Sequence, residues 1–152
     1  MYEFFHQEVV EKSALDSFAS DFFQVCNNYY LYFDTIKDKF PKRLVDFYLK
    51  NGFHDDNLID FSLKKRHFSH KSRVDVITVW KSHIGKKYEM KFEDVKFMDI
   101  SLNLSNYHEL GDNLACEFSL EENLFGFEMF FGDINERKIF IKSKKIYFRI
   151  IH

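Results

Sequence analysis

The longest patterned stretch of this sequence runs from Tyr88 to Leu104. Its first residues alternate between apolar and charged side chains, which is typical of a β-strand with one buried face. At Asp94 the alternation shifts by one residue. Because such a shift would move all following side chains to the other face of the sheet, it predicts a β-bulge or a sharp bend.

The first fifty residues repeat their apolar positions every three or four residues, which predicts helices. One helix should begin near Ala14 and carry an aromatic stripe as far as Phe33, with Asn27-Asn28 as a possible interruption. A second helix should begin at Pro41 and end at Asn51-Gly52. Aromatic residues at this spacing are typical of a core, and we expect them to be buried.

From Phe53 onward the period is that of strands. Leu58–Leu63 predicts a first strand, Lys64–Ser72 a basic turn, and the β-branched run Val74–Trp80 a central strand covered on both faces. Further strands are expected around 88–104, 114–120, 125–131 and 139–151, with the last one or two joined at 142–145. The fold class is therefore predicted as α+β, with N-terminal helices packed on a five- to seven-stranded, mostly antiparallel sheet. We expect a single domain over 1–152, mainly helical in 1–52 and mainly β in 53–152.

Composition excludes some classes of protein. Apolar residues make up 45% of the chain, with twenty Phe and eight Tyr, so the chain is too aromatic to be disordered. No apolar run approaches the roughly 20 residues of a membrane-spanning helix, and the first residues do not resemble a signal peptide. We therefore expect a cytoplasmic protein without membrane contact, and Cys26 and Cys116 as reduced thiols.

The formal net charge of −2 hides a segregation of charge along the chain. Residues 62–92 carry nine Lys or Arg against two acids, and residues 93–136 carry eleven Asp or Glu against one lysine. This pattern is explained if neighbouring antiparallel strands of opposite sign attract each other. It is also explained if an acidic patch steers a basic partner. The candidate residues of that patch are Glu109, Asp112, Glu121, Glu122, Asp133 and Glu136.

One pair of histidines and one cluster of a histidine with two aspartates could carry chemistry. His67 and His70 are three residues apart, but a zinc site needs three or four convergent ligands and none is evident beside them. His54-Asp55-Asp56 is the sharper cluster, because an imidazole beside two carboxylates can serve as a general base or metal ligand. Its place between a helix end and a strand also suits a structural role in which an aspartate accepts backbone N–H groups. No metal or cofactor is predicted.

Other signals of catalysis or nucleic-acid binding are weak. Neither a glycine-rich phosphate loop nor a Gly-x-Ser-x-Gly elbow occurs in the sequence. The basic stretch from Lys64 to Arg73 could contact phosphates and stack on bases. A solvated hairpin explains the same residues, and we do not expect a nucleic-acid partner.

Two motifs carry a family resemblance. The segment Phe53-His54-Asp55-Asp56-Asn57-Leu58 is followed by Phe92-Glu93-Asp94-Val95. This pairing resembles a group of small bacterial immunity proteins, encoded beside polymorphic or contact-dependent toxins, whose sheet opens with Phe-His-Asp-Ala-Glu-Val and contains Phe-x-Asp-Val. The layout is similar over about 53–148, although Asp56 and Asn57 replace the usual Ala and Glu. The resemblance implies no catalytic residues.

The function expected from this resemblance is that of an immunity protein, not an enzyme, which binds and neutralises a cognate toxin. Such a toxin could be a nuclease whose basic cleft the acidic patch would plug. One alternative is an enzyme or metal-binding protein that uses His54, Asp55 and Asp56. Another is a regulatory module that binds a small ligand in an aromatic cavity between helix and sheet. The sequence leaves the oligomeric state open.

Overall fold

The computed structural model describes residues 19–68, 71–101, 113–131 and 138–151. In these ranges two α-helices precede six β-strands, which confirms the predicted α+β class. The helices are α1 (Ala19–Ile36) and α2 (Lys42–Asn51), with a short 3₁₀ turn at Lys37–Lys39 between them. The strands are β1 (Asn57–Phe68), β2 (Lys71–Lys81), β3 (Lys87–Ser101), β4 (Asn113–Glu121), β5 (Leu124–Phe131) and β6 (Lys138–Ile151). The predicted helix start near residue 14 lies outside the described residues.

The six strands form one antiparallel sheet in the order β1-β2-β3-β6-β5-β4. The run Val74–Trp80 lies in β2, one strand in from an edge, and not at the centre of the sheet. Val76, Thr78 and Trp80 are fully buried on one face, whereas the intervening Ile77 and Val79 are only partly buried. The expectation of full cover on both faces is therefore wrong, because the described helices pack on one face.

The signals at the two ends of α2 act as the sequence predicted. Pro41 directly precedes the helix, and its carbonyl accepts hydrogen bonds from the N–H groups of Leu44 and Val45 at 2.9 and 3.1 Å. Gly52 follows the last residue with φ of +66°, a conformation that glycine adopts without a steric cost. Its N–H group donates to the carbonyl of Tyr48 at 2.8 Å and so closes the helix end.

Helix α1 continues through Asn27-Asn28, so the possible interruption does not occur. Two of its tyrosines fasten it to the edge strand β4. The hydroxyl of Tyr29 accepts the N–H group of Phe118 at 2.6 Å, and that of Tyr32 accepts the N–H group of Leu120 at 3.1 Å. These bonds satisfy backbone groups that an edge strand would otherwise leave open.

The core between the helices and the sheet is largely aromatic, as the stripe at helical spacing predicted. Phe53 is 1% exposed and lies among four other rings, with centroid distances between 5.3 and 5.8 Å. Those rings belong to Phe47, Tyr48, Tyr88 and Phe118. They pack between α2 and the sheet.

The shift in the alternation at Asp94 is a β-bulge, as predicted. The register between β3 and β6 changes between Val95 and Phe97, and Asp94 itself has φ of +55°. Opposite the bulge, β6 passes through its basic segment 142–145 as one continuous strand. The bulge therefore bends β3 without ending the pairing of the two strands.

The basic turn expected from Lys64 to Ser72 is wrong. Strand β1 extends to Phe68 and β2 begins at Lys71, so most of this segment is paired, and Lys64 lies opposite Asp75. Consecutive charges resemble a solvated turn in sequence. A long edge hairpin accommodates them equally well, because its side chains reach water and its charges discourage pairing with other chains.

Both cysteines are free thiols, as expected. Cys116 is buried and Cys26 is partly buried. Burial raises the pKa of each thiol above its ordinary value, which disfavours the reactive thiolate.

Candidate functional site

The face of the sheet opposite the helices carries an array of charged side chains. Residues on this face alternate with the buried residues of β2 and β3, and we refer to it as the distal face. The charges are arranged in ion pairs that connect four strands. We define the distal charge array as Arg66, Asp75, Glu89, Lys91, Glu93 and Arg149.

Asp75 is the buried centre of this array, with only 2% of its side chain exposed. One carboxylate oxygen pairs with the guanidinium of Arg66 and lies 3.6 Å from the ammonium of Lys91. The other oxygen accepts the backbone N–H group of Asp94 at 3.1 Å. A carboxylate removed from water needs such partners, and this one fixes two cations and the position of the bulge at once.

The other side chains of the array are more exposed to solvent than Asp75. Glu93 lies 3.0 Å from Lys91 and 3.3 Å from Arg66, and the hydrogen bond from Lys91 is the main cause of its lowered pKa. Arg149 of β6 contacts Glu89 of β3 at 2.8 Å. These pairs border an open groove of about 560 Å³ lined by Glu89, Lys91, Glu93, Tyr147, Phe148 and Arg149.

A second, more basic depression surrounds the bulge. We call it the Asp94 pocket, and it has a volume of about 260 Å³. The carboxylate of Asp94 lies 2.7 Å from the ammonium of Lys96 and 3.8 Å from that of Lys144. The hydrogen bond from Lys96, and then the charges of Lys96, Arg73 and Lys144, lower the pKa of Asp94. The described residues that line the pocket are Lys71, Ser72, Arg73, Asp94, Lys96 and Lys144.

Two of the six residues proposed for the acidic patch are in the described part of the chain. Glu121 and Glu122 lie at the β4–β5 turn, but only Glu122 is exposed there. Glu121 accepts a hydrogen bond from Lys142 at 2.6 Å, and this bond is the main cause of its lowered pKa. The other four candidates lie outside the described residues, namely Glu109, Asp112, Asp133 and Glu136.

The structure gives the two carboxyl groups of His54-Asp55-Asp56 different surroundings. His54 is exposed and its Nδ1 lies 2.7 Å from the neighbouring Asp55. Asp56 is fully buried and accepts hydrogen bonds from the Tyr88 hydroxyl at 2.7 Å and from the backbone N–H group of His83 at 3.0 Å. The carboxyl group thus connects the start of β1 to the β2–β3 turn and to β3, which is a structural role.

His83 completes this cluster, although no pattern in the sequence pointed to it. Its Nδ1 lies 3.3 Å from Asp56, and its ring stacks on that of His54 with centroids 5.0 Å apart. Burial, followed by the nearby Asp56, raises the pKa of Tyr88 well above its ordinary value, so this hydroxyl stays protonated as a donor. The arrangement therefore fixes a turn through a neutral tyrosine and a buried carboxyl group.

The remaining histidine hypothesis concerns metal binding. His67 lies beside Ser72, with 3.2 Å between its Nδ1 and the hydroxyl, while His70 and His108 are outside the described residues. Within the described ranges no three His, Cys, Asp or Glu side chains are grouped closely enough to hold a metal ion.

The distal charge array and the Asp94 pocket were both missed by reasoning from the sequence. Two features of the sequence point to parts of these sites. Asp75 interrupts a β-branched run, and an acid in a strand interior requires buried partners. Asp94 lies where the alternation shifts, but the sequence could not show that strand β6, fifty residues later, would bring Lys144 to the same place.

No family model matches this chain, and the searches of curated proteins and of solved structures found no similar protein. In the described part of the chain, no helix combines the length and apolar character that crossing a membrane would require.

Proposed function

We propose that this protein is an immunity protein that acts without catalysis, in the cytoplasm, by binding a cognate bacterial toxin and covering its active region. The resemblance carried by Phe53-His54-Asp55 and Phe92-Glu93-Asp94-Val95 supports this role. Such a protein needs a rigid scaffold that presents a fixed pattern of charge to one partner.

The single observation that carries the proposal is the distal charge array. Its side chains come from β1, β2, β3 and β6, and each is held by at least one ion pair. Charges that are already ordered lose little conformational freedom when a partner docks, and they favour partners with the complementary pattern. An array that is preorganised in this way can serve as a recognition surface.

Of the described members of the acidic patch, the proposal uses Glu122. Lys142 already neutralises Glu121, so Glu122 at the tip of the turn is the described member best placed to attract a basic toxin. A nuclease, whose substrate-binding cleft is basic, remains one class of toxin that fits an acidic docking site.

Strand addition is a second way in which the toxin could dock. The two edges of the sheet differ, because tyrosine hydroxyls of α1 already bond β4. The other edge, β1, is twelve residues long and pairs with β2 alone in the described structure. Lys64 and Lys65 on this strand would discourage unselective pairing and favour an acidic partner strand.

The test is the rates at which the purified protein associates with, and dissociates from, the toxin domain encoded by the gene immediately upstream. Arg149→Glu inverts one exposed end of the distal charge array, and Glu122→Lys inverts the tip of the β4–β5 turn. We expect Glu122→Lys to slow association by about tenfold or more at low salt, because the long-range attraction of a basic toxin is replaced by repulsion. Arg149→Glu removes the ion pair with Glu89, and we expect it to speed dissociation of the complex by about tenfold, because the docked charges no longer match.

The matched control is Lys50→Glu, which inverts an exposed charge on α2, on the other side of the molecule. It should leave the association rate within about twofold of the wild type. If all three variants associate with the toxin and dissociate from it at the wild-type rates, the distal face and the turn are not the docking surface. If the wild-type protein does not bind the toxin at all, the immunity proposal itself is wrong.

A further inference from the structure

The Asp94 pocket concentrates positive charge at one place on the surface. Four of its six described lining residues are cations and one is an acid, so the lining has a clear positive excess. The cations come from β2, β3 and β6, which are brought together by the strand order and the bulge. Lys145 and Glu93 line an adjoining depression of about 260 Å³ that shares Arg73, Asp94 and Lys144.

The cations of the pocket are positioned by other side chains. The two oxygens of Asp94 each face one ammonium group, that of Lys96 and that of Lys144, at 2.7 and 3.8 Å. The guanidinium of Arg73 lies over the ring of Phe68, with 5.2 Å between its central carbon and the ring centroid. The Asp94 carboxylate thus holds the two lysine ammonium groups near each other, and the Phe68 ring orients the guanidinium of Arg73.

Among the described residues, this arrangement leaves donors available for a ligand. An ammonium group has three N–H donors, and the contacts with Asp94 occupy only part of those of Lys96 and Lys144. One carboxylate balances one of the four positive charges, so the cations that remain repel one another across the pocket. An anion placed between them would relieve that repulsion and accept the spare hydrogen bonds.

The charge and shape of the pocket fit a phosphoryl group better than a single carboxylate. A phosphate monoester carries about −1.5 to −2 charges at neutral pH and presents three acceptor oxygens in different directions. A carboxylate carries one charge and has its acceptors in a plane. We propose that the Asp94 pocket binds the phosphoryl group of a small phosphate-bearing ligand, with Lys71, Arg73, Lys96 and Lys144 as its donors.

This site is separate from the acidic turn at Glu122, and the inference does not depend on the immunity proposal. The two can fail independently, because phosphate binding is measured on the isolated protein without any toxin.

The experiment titrates the whole protein with inorganic phosphate at neutral pH, with sodium chloride replacing it at constant ionic strength, and follows backbone amide shifts by NMR. We expect saturable shifts at 71–73, 94–96 and 144–145 with phosphate and none with chloride. Lys96→Gln combined with Lys144→Gln should weaken phosphate binding by about tenfold or more, since two charge-assisted contacts are lost.

Two control variants separate a specific loss from unfolding. Lys86→Gln removes an exposed lysine from the β2–β3 turn, at the opposite end of these strands, and should bind phosphate as the wild type does. Lys96→Arg combined with Lys144→Arg keeps both charges and should restore most of the affinity. Equal binding by the wild type and the double Gln variant would overturn the proposal, as would shifts that chloride reproduces.

A second arm of the experiment identifies the source of the phosphoryl group. Adenosine monophosphate that binds as tightly as inorganic phosphate would indicate recognition of the phosphoryl group alone. Tighter binding of the nucleotide would indicate a nucleotide ligand. Binding of adenosine without phosphate, or of a single-stranded oligonucleotide when neither phosphate nor nucleotide binds, would contradict the proposal.

Discussion

Three buried or nearly buried aspartates fix separate parts of the backbone or surface. Asp56 accepts an N–H group of the β2–β3 turn, and Asp75 accepts the N–H group of Asp94 at the bulge. Asp94 in turn orders the ammonium groups of Lys96 and Lys144. Carboxylates that could suggest acid–base chemistry from sequence alone are therefore used here as structural acceptors.

Replacing Asp56 by alanine should destabilise the protein. The hydroxyl of Tyr88 and the N–H group of His83 would lose their buried acceptor, which corresponds to about 2–4 kcal/mol in the free energy of unfolding. The measurement is urea denaturation, and Asp56→Asn should cost less because its amide oxygen still accepts.

The control for Asp56 is Asp55→Asn. Asp55 is exposed and has φ of +60°, which asparagine tolerates, so this change should alter the free energy of unfolding by no more than about 0.5 kcal/mol. Equal effects of Asp56→Ala and Asp55→Asn would show that the buried hydrogen bonds do not stabilise the fold as described.

The ion-paired carboxylates also predict how stability depends on pH. The pKa values of Glu93, Asp94 and Glu121 are lowered by hydrogen bonds from Lys91, Lys96 and Lys142 respectively. A group whose folded pKa is lowered stabilises the protein above its unfolded pKa, near 4, and loses that contribution as the pH falls through the folded value.

We therefore expect the free energy of unfolding to decrease on acidification below about pH 4, as measured by denaturant titrations at several pH values. The double variant Glu93→Gln and Glu121→Gln should show a smaller decrease over the same range, because two of the titrating pairs are absent. If the free energy of unfolding of this variant depends on pH as that of the wild type does, Glu93 and Glu121 do not contribute to the decrease.

At the scale of elements, a serine side chain of β4 covers a glycine of β5 at one cross-strand pair. Gly126 lies directly opposite Ser119, and a Cβ atom added to the glycine would lie 2.0 Å from the serine hydroxyl oxygen and 3.3 Å from its Cβ. The serine side chain thus occupies the space that a larger residue at 126 would need. The conformation of Gly126 is ordinary, so its role here is steric.

Gly126→Ala should accordingly lower the free energy of unfolding by about 1–2 kcal/mol, because the serine must change rotamer or the strands must shift. In a background of Ser119→Ala the same change should cost much less, since the closest atom is removed. Denaturation of the two single variants and the double variant measures this coupling. A cost that is equal in both backgrounds would exclude the steric explanation.

Elements with local signals were predictable from the sequence. Pro41 and Asn51-Gly52 gave the limits of α2, and the shift at Asp94 gave the bulge, because each signal depends on backbone geometry within a few residues. The strand at Lys64–Phe68 was missed, because whether a charged segment pairs is decided by a partner strand and not by its own composition.

At the scale of the whole molecule, strand order determines how the segregated charges are distributed. The basic segment 62–92 contains most of β1, all of β2 and the start of β3, and the basic C-terminal strand β6 inserts beside β3. Positive charge from distant parts of the sequence therefore meets at the Asp94 pocket. Asp94, from the acidic segment 93–136, pairs with Lys144 of the neighbouring basic strand β6, so the attraction expected between neighbouring strands of opposite sign is present at this pair.

The candidate site could not be derived from the sequence for the same reason. Periodicity predicts which residues share a face, but not which strands are neighbours. The position of Lys144 beside Asp94, and of Arg66 beside Asp75, follows from pairing over long sequence separations. The acidic patch was predicted from the distribution of charge along the chain. One of its members, Glu121, is neutralised by Lys142 of the basic strand β6.

The central claim is that the protein neutralises a toxin by binding it, and the most direct measurement is bacterial growth. The product of the gene immediately upstream is induced in a susceptible host, alone and together with this protein. The account predicts that growth stops with the neighbour alone and recovers with both, and that the two proteins copurify. A neighbour that arrests growth regardless of this protein, or that is neither toxic nor bound, would contradict the account.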